Sequence, residues 1–152
     1  GNYVIYATCA VLTALAAGPL IDRFRATRLV PLAFLPLVLA LALVSIFHSP
    51  GTVLPYMLLI GVNSGLVYTT TSAMWPELYG VKHLGAIKSL GTSITVFGSA
   101  LGPVTLGGLM DLGVSIESVC LLFAGYSIVG GALIFVALRG SSEKFIRPVR
   151  PV

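Results

Sequence analysis

The side chains best suited to hold a small polar molecule crowd into one stretch of this sequence. Between Thr52 and Ala73, Asn63, Tyr68, Thr70 and Thr71 stand in an otherwise apolar run, with Ser64, Thr69 and Ser72 beside them. Amide and hydroxyl groups donate and accept hydrogen bonds without changing charge near neutral pH, so their chemistry here is recognition rather than bond-making. On a helix, Asn63 and Thr70, seven residues apart, share a face. Two readings of these residues stand side by side. They line a cavity for a small-molecule substrate, which needs such partners where water is scarce. Or they hydrogen-bond to neighbouring helices, a contact worth about 0.6 kcal/mol on average inside a membrane.

Other chemistry finds little support. No nucleophile stands with a base, and no cofactor motif is present; Gly80 and Gly85 bracket a loop but lack the strand that a phosphate-cradling fold needs. His48 and His83 fall at opposite ends of the elements described below, cannot share a metal ion, and read as solvated loop or headgroup residues. Cys9 and Cys120 sit inside apolar runs without CxxC spacing and read as small packing residues. No enzyme activity, cofactor or metal is expected.

The elements that must position Asn63 and its neighbours follow from composition. The 152 residues are 57% hydrophobic and 9% charged, with a mean hydropathy of +1.00. A water-facing domain carries about 25% charged residues, so this surface suits lipid. The expected fold is all-α, a polytopic membrane helix bundle. Five stretches, at residues 3–21, 29–47, 52–73, 89–110 and 119–138, are long enough to span a bilayer, which takes about 20 apolar residues. None contains Asp, Glu, Lys or Arg. A charge at mid-membrane costs about 2.5–3.5 kcal/mol, and its absence leaves no intramembrane group to relay protons. Prolines 31, 36, 55 and 103 fall within these stretches, where neighbouring groups can satisfy the freed carbonyls.

The nine Lys and Arg fix an orientation. Arg23, Arg25 and Arg28 lie in the first connection, Lys82 and Lys88 in the third, and Arg139, Lys144, Arg147 and Arg150 after the last span. The second and fourth connections carry only Asp111 and Glu117. Cytoplasmic loops collect Lys and Arg, so the chain is expected to start outside and end in the cytoplasm. Residues 1–138 then form the bundle and 139–152 a basic cytoplasmic tail. The net charge of +4 is a topology signal, and no nucleic-acid partner is expected.

The spans differ in character. The second and fifth are the most uniformly apolar and read as lipid-facing over much of their circumference. In the fourth, Gly91, Thr95, Gly98 and Gly102 repeat at spacings of four, three and four, and Pro103 follows; Gly61 and Gly65 repeat the device in the third. Such stripes let another helix approach closely. The third and fourth spans therefore read as inner helices.

At the end of the first span stands Gly18-Pro-Leu-Ile-Asp22-Arg23-Phe24. It resembles the signature loop of the major facilitator superfamily, G-x-x-x-D-R/K-x-G-R/K-R/K, through Gly18, Asp22 and Arg23. The family's second Gly is Arg25 here, and its basic pair is Ala26 and Thr27, with Arg28 one place later. Residues 75–111 resemble the family's loop between the tenth and eleventh helices and the eleventh helix itself. Glu77, Gly80, His83, Gly85, Gly98, Gly102, Pro103, Gly107 and Asp111 carry that match. Gly98-x-x-x-Gly102-Pro103 is also similar to the glycine-proline motif of the family's antiporters. Gly107 follows it after three residues where the motif has two, and no antiport mechanism is assigned.

The resemblance covers nearly the whole chain, as the family's eighth to twelfth helices. A fit to the second to sixth helices gives the same orientation, but the eroded first loop and residues 75–111 favour the second half. In the family the third and sixth helices of each half are peripheral, which corresponds to the second and fifth spans. The resemblance implies a secondary active transporter that moves a small solute by alternating access, two six-helix halves rocking around a central site. On this reading the chain is a C-terminal fragment, a view its odd span count supports. The missing N-terminal half, the lipid bilayer and a small-molecule substrate are its partners. The resemblance also implies that Gly18, Asp22, Arg23 and Glu77 form a cytoplasmic gate, with Arg23 and Glu77 in reach of each other. The plainer reading is helix capping and headgroup contact, an exposed pair contributing about 0–1 kcal/mol. The rival for the whole chain is a non-transporting scaffold or assembly subunit that associates through its glycine stripes.

Overall fold

Lipid offers backbone N–H and C=O groups no partner, so a chain that crosses it must satisfy them within each segment. A computed structural model describes residues 2–47 and 49–144; His48, Arg147, Arg150 and the rest of 145–152 lie outside the described residues. Among the described residues all regular structure is helical. The helices are α1 (Asn2–Phe24), α2 (Ala26–Leu29), α3 (Leu35–Ile46), α4 (Val53–Tyr79), α5 (Leu84–Asp111) and α6 (Ile116–Lys144). Five stretches are long and apolar enough to cross a membrane: Tyr3–Phe24, Ala26–Ile46, Val53–Tyr79, Leu84–Asp111 and Ile116–Arg139. The chain is an all-α, multi-pass membrane protein.

Several helices outrun the apolar stretches. α4 continues through Trp75, Pro76 and Glu77, which the resemblance puts in a loop, and α5 begins at Leu84. α6 runs on through Lys144, past the end of the apolar stretch at Arg139, so the start of the basic segment is helical. A charge marks where the hydrocarbon ends; it does not stop a helix. What stops one is backbone geometry. After α5, Gly113 takes φ 78°, its N–H bonds the Met110 carbonyl, and Val114 N–H bonds the Leu109 carbonyl. This double bond back onto the last turn caps the helix and needs a left-handed residue, which glycine supplies without steric cost.

Proline breaks one span and spares the others. Pro31 follows α2, a 3-10 turn spans Leu32–Phe34, and Pro36 enters the first turn of α3, so the second span is segmented. Pro55 lies in the first turn of α4, where no intrahelical N–H is lost. Pro19, Pro76 and Pro103 sit inside continuous helices.

α4 is the centre of the bundle. α1 packs along one side of it, and α2, the 3-10 turn and α3 along another. A Cβ on Gly61 would lie 2.8 Å from the Tyr6 carbonyl oxygen, and one on Gly65 2.5 Å from that of Ala10 and 2.9 Å from the Thr13 Cβ. The two backbones thus meet with no room for a methyl group, as the spacing of these glycines predicts. The Tyr6 hydroxyl donates to Ser64 Oγ at 3.2 Å and the Cys9 thiol to the Leu58 carbonyl at 3.6 Å. Contacts climb both helices together, so α1 and α4 run parallel.

The second span is more enclosed than its composition suggests. Ala26, Ala33 and Ala40, seven residues apart, are 0%, 1% and 0% exposed. α3 packs antiparallel on α6, whose Ala124, Ser127 and Gly131 are buried, with Phe34 against Gly131 and the Ser45 hydroxyl donating to the Glu117 carbonyl. α5, by contrast, has no buried residue. Its Gly91 meets the Trp75 ring, which stacks on Tyr79, but nothing lies within 4 Å of a Cβ built on Gly98 or Gly102. The fourth span is thus outermost and the second and fifth pack on each other, against the expected arrangement. An apolar helix suits a protein neighbour as well as lipid, so apolarity alone does not rank the helices.

The glycine contacts give a direct stability contrast. Gly65→Ala forces α1 and α4 apart, an overpacking worth about 1–3 kcal/mol, and lowers the thermal unfolding midpoint in detergent. Gly98→Ala leaves that midpoint unchanged or slightly higher, because helix propensity favours Ala by about 1 kcal/mol where nothing is displaced.

Candidate functional site

Asn63, Thr70 and Glu77 recur at seven-residue intervals along α4 and so follow one stripe. The stripe ends at α2: Glu77 accepts from the Thr27 hydroxyl at 3.1 Å and from the Thr27 backbone N–H at 3.3 Å. Thr70 is 0% exposed, and its hydroxyl donates to the Leu66 carbonyl at 2.6 Å, one turn back in its own helix. That local bond satisfies the hydroxyl without a second helix or a solute. Asn63 differs. It is half-buried, and its Oδ1 is buried with no hydrogen-bond partner among the described residues. An orphaned carbonyl of this kind costs about 1–3 kcal/mol until a donor reaches it.

Tyr68 and Thr71 do not complete a pocket with these two. At 100° per residue Tyr68 and Thr70 stand roughly 160° apart around the helix. Tyr68 is 75% exposed on the open side of α4, and Thr71 is half-buried. The four candidate contacts therefore occupy different sides of α4, and one cavity cannot hold them all in this arrangement. Asn63 lies about 15 Å from the start of α4 at 1.5 Å per residue. That depth is near the middle of a hydrocarbon layer about 30 Å thick.

Of the residues expected to form a gate, Asp22 and Arg23 sit where α1 gives way to α2, and Glu77 lies near the end of α4. Asp22 and Arg23 are exposed in the last turns of α1, and the Arg23 guanidinium lies 5.6 Å from the Phe24 ring centroid. Among the described residues no ion pair joins Arg23 to Glu77; Thr27 occupies that carboxylate instead. Nothing lies within 4 Å of a Cβ built on Gly18, so no close helix contact depends on it here. Thr27 is not among the residues the motif singles out, because it stands where the family carries a basic side chain. Between the two helices Arg25 takes φ 68° and ψ 142°, a conformation that L side chains rarely adopt.

These features define a class: a polytopic helical membrane protein with uncharged polar side chains near mid-membrane and an α1–α2 loop held to the end of α4 by hydrogen bonds. The family model of the Major Facilitator Superfamily matches residues 2–151, and the chain belongs to that superfamily. Members of the family are transporters. No curated protein and no solved structure matches the chain.

Arg25 stands where the family's loop has its second glycine, and it has the one positive φ of a non-glycine residue among the described residues. Such a backbone costs about 1–3 kcal/mol, part of which glycine returns by its freedom in the unfolded chain. Arg25→Gly is expected to stabilise the protein by about 1 kcal/mol and raise its unfolding midpoint. Arg25→Ala keeps the strain and gives no rise; equal midpoints for the two variants would show that the backbone there is unstrained.

Proposed function

We propose that the chain moves a small solute across the membrane as a secondary active transporter working by alternating access. The observation that carries this reading is the family match along residues 2–151. Alternating access needs two helical bundles around a shared site, and this chain supplies one of them, read as the C-terminal half. The uncovered sides of α4 and α5, with Tyr68 exposed and Gly98 and Gly102 free of neighbours, suit the approach of the other. The bare α5 face also suits a scaffold that assembles with other membrane helices, and transport separates the two readings.

Within α4, Asn63 is the residue we assign to the solute. Asn63 offers an acceptor without a protein partner among the described residues, whereas Tyr68, about 140° away around α4, stands on the side left open for the other bundle. Thr70 is assigned to the fold, since its hydroxyl already bonds its own helix. The Thr27–Glu77 contact takes the place given above to Arg23 and Glu77, tying the α1–α2 loop to the end of α4 in one access state. The basic connections support a start outside and an end in the cytoplasm.

Counterflow in proteoliposomes by the intact two-bundle protein, run over a panel of sugars, amino acids, organic anions and organic cations, tests the function. Uptake of at least one class is expected; folded protein that moves none of them favours the scaffold. For the transported solute, Asn63→Leu raises KM about tenfold, the loss of one hydrogen bond worth about 1.4 kcal/mol, without lowering the unfolding midpoint. Thr70→Val leaves KM unchanged. A KM that ignores Asn63→Leu removes Asn63 from the site. Reporter tags near residues 26, 50, 82, 114 and 145 test the orientation. Those at 26, 82 and 145 should report the cytoplasm and those at 50 and 114 the outside; all five on one side would overturn the scheme.

A further inference from the structure

Two arginines far apart in sequence meet at one end of the bundle. Arg28, next to Thr27 in α2, and Arg139, in α6, line a recess of about 370 Å³ together with Thr27, Phe135 and Leu138. Both arginines are exposed. Among the described residues neither has a carboxylate partner. Arg139 is held in place by its ring neighbour, its guanidinium carbon lying 5.4 Å from the Phe135 centroid. Glu77 does not line the recess, and its carboxylate accepts from the Thr27 N–H and hydroxyl. Among the described side chains, the recess therefore presents two cations without a carboxylate partner above an apolar wall of Phe135 and Leu138.

We propose that this recess binds the phosphate of an anionic phospholipid, with the acyl chains lying against Phe135 and Leu138. Position supports a lipid over a free anion. Arg139 directly follows Leu138, the last residue of an apolar run that starts at Val119, so the guanidinium stands where hydrocarbon gives way to headgroups. Phe135 lies about one turn deeper, at the level of the first acyl carbons. Each guanidinium brings five N–H donors in a planar fork that matches two phosphate oxygens. A free phosphate gains nothing from the apolar wall, whereas a lipid uses both halves of the site. A lipid seated there also bridges α2 and α6, which touch only sparingly otherwise. This site is independent of which solute moves, or whether one does.

Native mass spectrometry of the purified protein tests the proposal with phosphatidylglycerol, phosphatidylcholine and inorganic phosphate as probes. Phosphatidylglycerol is expected to outbind phosphatidylcholine. Arg28→Gln and Arg139→Gln should each weaken it about fivefold, the effect of one cation near a charged headgroup. Lys82→Gln with Lys88→Gln, which removes two charges from the same end but none from the recess, should leave binding unchanged. Arg139→Lys keeps the charge but loses the fork, and should fall between Arg139 and Arg139→Gln. Equal losses for the lysine and arginine variants mean diffuse attraction and overturn the site. So does equal binding of the two lipids, or inorganic phosphate held through the same arginines as tightly as the lipid.

Discussion

Lipid does not push two apolar helices together as water does, because hydrocarbon surrounds them equally well when they are apart. What holds this bundle must therefore be contact at short range, and its tightest contact is the seam between α1 and α4. There Gly61 and Gly65 bring the α4 backbone against the Tyr6 and Ala10 carbonyls, closer than any side chain would allow. The rest of the arrangement follows from this pairing. Because α1 and α4 run parallel, the span between them must return across the membrane. That return places Thr27 beside Glu77 at one end and Ser45 beside Glu117 at the other. α4, fixed against α1 on one side and α3 on another, becomes the rigid element on which Asn63, Tyr68 and Thr70 are mounted.

The number of crossings and their limits in the hydrocarbon are legible in the sequence because the energies behind them are large. A misplaced Lys or Asp costs more than most packing contacts provide, so the charges fall between spans. The order of the helices is not legible in the same way. Leu, Val and Ile report that a surface avoids water, and they do so identically against lipid and against protein. The informative pattern in the second span is its alanines: Ala26, Ala33 and Ala40 stand at an interval that keeps one side of a helix small, and all three are sealed. Gly98 and Gly102 form an equally regular stripe with nothing against it. A small-residue stripe records how closely another helix can come. Which helix comes is decided elsewhere.

The candidate site divides along the same line. Residue type and spacing place Asn63 and Thr70 on one stripe, and the structure keeps them there with Glu77. Type alone cannot say whether a hydroxyl is spoken for. Thr70 and Ser127 both turn back to carbonyls one turn earlier, a bond available to any Ser or Thr in a helix and one that removes them from the pool of binding groups. An asparagine has no equally easy local outlet for its carbonyl oxygen. Asn63 Oδ1 keeps its need for a donor, which is why the proposed solute contact rests on this amide and not on the threonines around it.

The eroded loop between α1 and α2 shows how a motif can lose its residues and keep its shape. A glycine there would supply a positive φ at no cost, yet Arg25 adopts φ 68°. Two neighbours make that tolerable. Ala26 is fully buried, in a space with no room for the basic side chain the family pattern expects, so its packing fixes the start of α2. Thr27, also in a basic position of the pattern, anchors the next residue to Glu77 through both its N–H and its hydroxyl. A strained residue persists when the structure around it over-determines its conformation. Burial on one residue and two hydrogen bonds on the next do that here, with α1 fixing the other side. The three departures from the pattern are thus coupled: a basic residue at position 26 would remove the packing, and one at 27 the hydroxyl, that make an arginine at 25 affordable.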